Sequence, residues 1–252
     1  MSGRTETMPT TTDSIITADG SCRVTVATPD RDGPWPAVVM YPDAGGARET
    51  FDEMAAELAG YGYVVLVPDV YYRQAGWAPF DMATVFGDEP ERRRLFGMIK
   101  TVTGDIMAAD AAAFFDYLAA RPDVVGERFG TTGYCMGGRT SLIVAGRLPA
   151  RVAAAMSFHG GGLATDKPDS PHLLAGEIEA VVYVGGAQDD ASFTRKDAQT
   201  LEQALTAAGV EHTIEFYSAA HGFAVPDNGP YDAAAAARHW EAMGAVFGRA
   251  LG

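Results

Sequence analysis

Short, continuous apolar runs alternate with segments of helical spacing along most of the chain. Pro36–Tyr41 (PAVVMY), Tyr63–Val67 (YVVLV), Phe129–Gly133, Val152–Phe158, Ala180–Val184 and His212–Tyr217 have the length and composition of buried strands. Between them, Arg48–Gly60, Gly104–Ala120, Met136–Arg147, Thr194–Ala208 and Tyr231–Leu251 repeat apolar residues at helical intervals. Two further strands, Ser14–Thr17 and Ser21–Thr28, flank ADG and predict an opening hairpin. Strands that are apolar throughout need helices on both faces, so the pattern predicts an α/β fold with a mostly parallel central sheet. Residues 1–12 are polar and are expected to form a flexible tail, with 13–252 a single domain.

The segment Tyr71–Pro90 (YYRQAGWAPFDMATVFGDEP) breaks this alternation. It is long, aromatic and irregular, as expected either of a packed surface loop or of a wall over a pocket.

Composition narrows the functional classes. With 47% hydrophobic residues and 21% charged, the 252 residues can form a sizeable core. The formal charge of -14 repels phosphate backbones and anionic membranes, so neither nucleic acid nor membrane is an expected partner. The N-terminus lacks the apolar stretch of a signal peptide, and no run approaches the ~18 residues of a membrane span. Two cysteines, Cys22 and Cys135, are too few for a disulfide framework and are expected to be reduced, as in the cytoplasm. No cluster of metal-ligand type is present in the sequence, and no cofactor or metal is expected.

Ligands of parallel sheets bind at the carboxyl ends of the strands, so the residues just after each strand carry the chemistry. After Phe129–Gly133 comes GYCMGG, and then a helix. Strand, G-x-nucleophile-x-G and helix are the context of a nucleophile elbow, here with Cys135 in the nucleophile position. The positive end of the adjoining helix favours a thiolate there. Cys22, inside a hairpin strand, has the setting of a packing cysteine.

Such a nucleophile needs a base and an orienting acid. Where the acid and the histidine come after the nucleophile along the chain, His172, His212, His221 and His239 are late enough, and only His221 lies at a strand's carboxyl end. His159, directly after Val152–Phe158, is a competitor by position. In VVYVGGAQDD, Asp189 is the expected acid and Asp190 the alternative. The oxyanion donors of this arrangement are the N–H of the residue after the nucleophile, Met136, and one from the loop YPDAGG, where Ala44 is expected. Asp43 in that loop is either an Asx-turn residue or a carboxylate that holds the resting thiol protonated.

Together, VPDVYYRQAG, GYCMGG, GGAQDD and AAHGF resemble the dienelactone hydrolases, cysteine-dependent α/β-hydrolases that open cyclic enol-lactones. The resemblance runs from about Val38 to Phe223. It implies an α/β-hydrolase fold and a cofactor-free esterase with Cys135 as nucleophile, Asp189 as acid and His221 as base. It also implies substrate contacts at Arg92, Phe96, Tyr72 and Phe223, with Arg93 and Arg94 adjacent to the first. The chain departs from the family pattern in three places. Asp43 replaces a glutamate, Phe96 stands where an aromatic hydroxyl is expected, and Val225 stands where a second arginine is expected. A small ester or lactone is therefore the expected substrate, and a monomer or homodimer the expected assembly. The alternatives are a thiol-based redox sensor, which would need neither acid nor base, and a non-catalytic ligand-binding module.

Overall fold

Apolar residues on both sides of each central strand place the sheet in the middle of the molecule. In a computed structural model, which describes residues 8–252, the elements are β1 (Thr10–Thr17), β2 (Gly20–Ala27), β3 (Ala37–Tyr41), α1 (Glu49–Gly60), β4 (Val64–Pro68), α2 (Glu89–Ile99) and α3 (Gly104–Ala119). They continue with β5 (Phe129–Tyr134), α4 (Met136–Arg147), β6 (Val152–Phe158), β7 (Val181–Asp189), α5 (Arg195–Ala207), β8 (His212–Ala220) and α6 (Ala233–Ala250). One eight-stranded sheet has the order β1-β2-β4-β3-β5-β6-β7-β8. The hairpin β1–β2 joins β4 antiparallel, and every other pairing is parallel.

Successive side chains leave a strand on opposite faces, so each strand feeds two cores. Val38 and Met40 of β3 pack with Phe51, Met54 and Leu58 of α1 and with Met243 and Phe247 of α6. Val39 and Tyr41 pack on the other face with Phe114, Phe115 and Leu118 of α3, Leu142 of α4 and Leu201 of α5. From β3 the chain moves to β4 on one side, and it later returns to β5 on the other. That reversal opens a crevice at the carboxyl ends of β3 and β5, where the loop of Ala44 and the turn of Cys135 meet.

Two elements differ from the sequence expectation. Thr10–Thr12 is not tail but the start of β1, with Thr10 opposite Ala27 and Thr12 opposite Thr25. Threonine suits a half-exposed edge strand, and the polarity of these residues conceals it. Residues 1–7 of the expected tail lie outside the described residues. The helix α2 was not expected, because of its eleven residues only Leu95 is fully buried. Its start is nonetheless encoded. Asp88 accepts a hydrogen bond from the Glu91 N–H, and Pro90 sits in the first turn, where its missing N–H costs nothing.

Segment 71–88 is a packed loop that brings Phe86 to the cavity at the strand ends. Phe80, Met82 and Val85 form a small third core with Leu95 and Ala44. The Arg94 guanidinium lies 3.6 Å from the centroid of Phe80. Among the described residues no helix is long and apolar enough to cross a membrane.

Candidate active site

The turn after β5 is shaped by its glycines. Cys135 has φ 53° and ψ -114°, a left-handed conformation that is strained for a non-glycine residue. A Cβ on Gly133 would collide with the Gly137 carbonyl, and one on Gly137 with the carbonyls of Tyr41 and Pro42. The glycines therefore let the turn close and let α4 press against the end of β3. The Cys135 N–H donates to Phe158 O at 3.1 Å, anchoring the strained residue to β6. Cys135 is only partly buried, and its position before α4 puts the sulfur at a helix N-terminus.

His221 comes directly after β8 and faces the Cys135 sulfur on one side. On the other side, its Nδ1 lies 2.7 Å from Asp190 Oδ2. Burial works against a charged imidazole here. The hydrogen bonds to Asp190 and to Cys135 outweigh it and hold the His221 pKa up at about 10. Burial likewise tends to raise the Asp190 carboxyl, but hydrogen bonds from His221 and Ser192 hold it below the usual carboxylate value.

Asp189, expected as the acid, does not reach His221. The strand β7 runs five residues beyond Val184, and its pairing with β8 shifts register between Ala187 and Asp189. Asp189 is thus still a strand residue, paired with Ala220 and exposed. The next residue, Asp190, turns inward and has 3% side-chain exposure. Ser192 was missed from the sequence. Its N–H (2.7 Å) and Oγ (2.6 Å) both engage Asp190 Oδ1, and its Oγ lies 3.3 Å from His221 Nδ1. A serine two residues beyond the aspartate, as in an Asx turn, is the signal that could have singled out Asp190.

Beneath the site, His159 is fully buried at φ 39°, with both ring nitrogens unpartnered. Its ring meets His221 edge-on at 5.2 Å. Burial, and then the neighbouring His221, push its pKa well down, so it packs beside His221 as a neutral ring.

Ala44, Met136, Cys135, His221, Asp190 and Phe96 line one cavity of about 740 Å³. Met136 is the first residue of α4, so its N–H has no intrahelical acceptor. Ala44 lies inside the turn closed by the Gly46 N–H on Asp43 O. The buried Tyr71 hydroxyl fixes that turn by donating to Ala44 O at 2.9 Å. A separate cavity of about 310 Å³, lined by Arg23, Arg48, Asp52, Asp69 and Trp77, does not include Cys135.

Four other expected contacts are placed elsewhere. Asp43 is buried but faces Arg48, not the thiol. Its Oδ1 accepts from Arg48 Nη1 (2.7 Å) and Gly45 N (2.9 Å), and its Oδ2 from Arg48 Nη2 (3.0 Å) and Asn228 Nδ2 (3.2 Å). Arg48 also holds Asp227 at 2.6 Å, so it ties the Ala44 loop to the loop after His221. Arg92 donates to Phe86 O at 3.1 Å, and Arg94 pairs with Glu91 at 2.7 Å; neither lines the cavity. On α2, Leu95, Phe96 and Ile99 take the inward positions; Arg92 precedes them by one turn and is drawn to Phe86 O at the helix start, while Arg93 and Arg94 pair with Glu89 and Glu91. Tyr72 points away, to Thr17 (2.5 Å) and Asp110 (3.1 Å), and its neighbour Tyr71 serves the site. Phe223 is core: it stacks on Tyr217 at 4.7 Å.

Cys22 is buried, and burial, reinforced by Asp69, pushes its thiol up to about 12, as befits a packing cysteine. Among the described residues no group of three or more His, Cys, Asp or Glu side chains is arranged to hold a metal ion.

Relatives carry the same frame over most of the chain. A Synechocystis protein provisionally named a carboxymethylenebutenolidase is 29% identical over 227 residues, 88% of this chain and 89% of that one. The carboxymethylenebutenolidase of Pseudomonas putida is 26% identical over 204 residues, 81% of each chain. Among solved structures, a Klebsiella pneumoniae protein provisionally named a dienelactone hydrolase superposes with a TM-score of 0.83 at 26% identity, covering 96% of this chain and 99% of its own. The sequence profile of the dienelactone hydrolase family matches residues 22–251, a span that holds strands β3–β8, the elbow, Asp190 and His221. By sequence and by fold, the chain belongs to the dienelactone hydrolase family.

Proposed function

We propose that the protein hydrolyses a small carboxylic ester or lactone through a thioester on Cys135. The observation that carries this reading is the imidazole of His221 held between the Cys135 sulfur and the Asp190 carboxylate, above a strained elbow. A His221 pKa of about 10 favours the imidazolium, the proton donor that the leaving oxygen needs, at neutral pH.

The thiolate attacks the substrate carbonyl and a C–S bond forms. The N–H groups of Met136 and Ala44 receive the oxyanion. As the C–O bond breaks, the imidazolium protonates the leaving oxygen and becomes neutral. It then takes a proton from water, which attacks the thioester. The tetrahedral intermediate expels the thiolate and restores the ion pair, and the product acid ionises to solvent. Asp190 keeps the Nδ1 proton of His221 in place, so that Nε2 serves the sulfur, water and leaving group.

The test is hydrolysis of p-nitrophenyl acetate and of a small enol-lactone by the parent, Cys135→Ala and His221→Ala proteins. The reading expects turnover by the parent and a loss of at least about 10³-fold in kcat/KM in each variant. Equal, negligible rates in all three would overturn it.

A further inference from the structure

The two walls of the 740 Å³ cavity differ in character. One is mainly hydrocarbon: Phe86, Leu95, Phe96, Ile99 and Val102, from α2 and its flanks, with Lys100 and Thr103 at its end. Phe86 is 55% exposed and Phe96 50%, so two aromatic rings stand open at the cavity. Large apolar side chains left open beside a nucleophile mark where an apolar ligand group is removed from water. The opposite wall, Arg139, Thr165, Lys167 and Ser192, is polar, and its Arg139 charge is matched by Asp169 at 2.8 Å.

The geometry of the reaction orients a substrate between these walls. The leaving oxygen must lie next to His221, and His221 stands with Asp190 and Ser192, beside the polar wall. The acyl group lies on the other side of the sulfur, next to the oxyanion donors. There Ala44 packs in the same small core as Leu95 of the hydrocarbon wall.

Resting on the cysteine-hydrolase reading, we infer that the preferred substrates are esters whose acyl part is an uncharged, medium-length apolar chain and whose alcohol part is polar. The chain lies against Phe96, Phe86, Leu95 and Ile99. A carboxylate at its far end would be desolvated against hydrocarbon, and the exposed Lys100 at the end of that wall offers it only a solvent-screened partner.

The experiment is a series of p-nitrophenyl acetate, butyrate and hexanoate, together with mono-p-nitrophenyl glutarate as a carboxylate-ended chain of comparable length. Each methylene moved from water onto the wall raises kcat/KM by up to about fourfold. The expected results are a rise of at least tenfold from acetate to hexanoate, and hexanoate preferred over glutarate by at least thirtyfold. In Phe96→Asp, which alters a half-exposed side chain and should fold, the hexanoate-to-acetate ratio drops at least tenfold. A flat or falling series, or glutarate matching hexanoate, overturns the inference while leaving the hydrolase reading intact.

If the parent hydrolyses none of these esters, the hydrolase reading fails and the wall is still tested by binding. Calorimetry of p-nitrophenyl hexanoate and acetate on Cys135→Ala then decides: tighter hexanoate binding supports the apolar subsite, and equal or absent binding overturns it.

Discussion

Asp190 Oδ2 lies 2.7 Å from His221 Nδ1, while its neighbour Asp189 points to solvent from the end of β7. Two adjacent, chemically identical residues should therefore behave very differently. Asp190→Asn removes a hydrogen-bonded charge that raises the His221 pKa, leaving Cys135 alone to oppose burial. In steady-state ester hydrolysis, kcat is expected to fall by about 10³- to 10⁴-fold. The alkaline limb of kcat/KM, near pH 10 in the parent, should move to lower pH, because the imidazolium is lost earlier. Asp189→Asn should keep both the parent rate and the parent profile. If instead Asp189→Asn alone lowers kcat, the acid is misassigned.

Arg48 ties the Ala44 loop to the loop beyond His221. Its guanidinium, with 7% side-chain exposure, pairs with the buried Asp43 of the Ala44 loop and with Asp227 beyond His221. Removing it leaves the Asp43 charge buried among fewer donors, a situation that costs about 3–5 kcal/mol. Arg48→Met should lower the urea-unfolding stability by that amount and reduce kcat as the Ala44 turn loosens. Adding Asp43→Asn should recover part of the loss, since the stranded charge is gone. Strictly additive effects in the double variant would mean that the pair is not coupled.

The features legible in the sequence are those with the strongest physical signals. Buried parallel strands are apolar throughout, and glycines around Cys135 have no role except in a tight turn, so the sheet and the elbow stand out. Interactions decided by one residue of register do not. Asp189 and Asp190 differ only through a register shift near the end of β7, and Tyr71 and Tyr72 only through which of two adjacent residues turns inward. Asp43 looks free to act on the thiol until Arg48 and, 185 positions away, Asn228 are seen to engage it. The helix α2 hides because its apolar residues Leu95, Phe96, Met98 and Ile99 are confined to its second half, behind the charged run EPERRR, too short a stretch to show a helical period.

Gly137 offers a prediction about the join between the elbow and the oxyanion loop. A methyl group there would press on the carbonyls of Tyr41 and Pro42, which lead into the Ala44 turn. Both partners are backbone, so the strain cannot be relieved by a side-chain rotation. Gly137→Ala is expected to cost about 1–3 kcal/mol in thermal or chemical unfolding. It should also lower kcat more than it lowers the rate of Cys135 alkylation by iodoacetamide, because the oxyanion donors move while the thiol remains. Equal losses in the two rates would place the damage at the nucleophile instead.

His239 predicts a loss of stability in mild acid. It is fully buried on α6, with Nε2 3.1 Å from the Tyr134 hydroxyl and Nδ1 on Ala236 O. Burial lowers its pKa to about 4, against a backbone hydrogen bond that acts the other way. Between about pH 6.5 and 4 the unfolded chain therefore binds a proton at this residue that the folded chain does not. Stability rises with pH across that window and is lost as pH falls through it. The slope from one such group is about 1.4 kcal/mol per pH unit. His159, buried and also held neutral, acts in the same sense. Carboxyls held below their usual value, such as Asp190 and Asp227, act at lower pH. Urea-unfolding free energies of the parent and of His239→Gln, measured from about pH 7 to 4.5, isolate the single residue. The glutamine can still partner the Tyr134 hydroxyl but does not titrate, so its curve should be flatter by about that slope. Parallel curves would show that His239 is protonated in the folded protein and that its burial is not what limits acid stability.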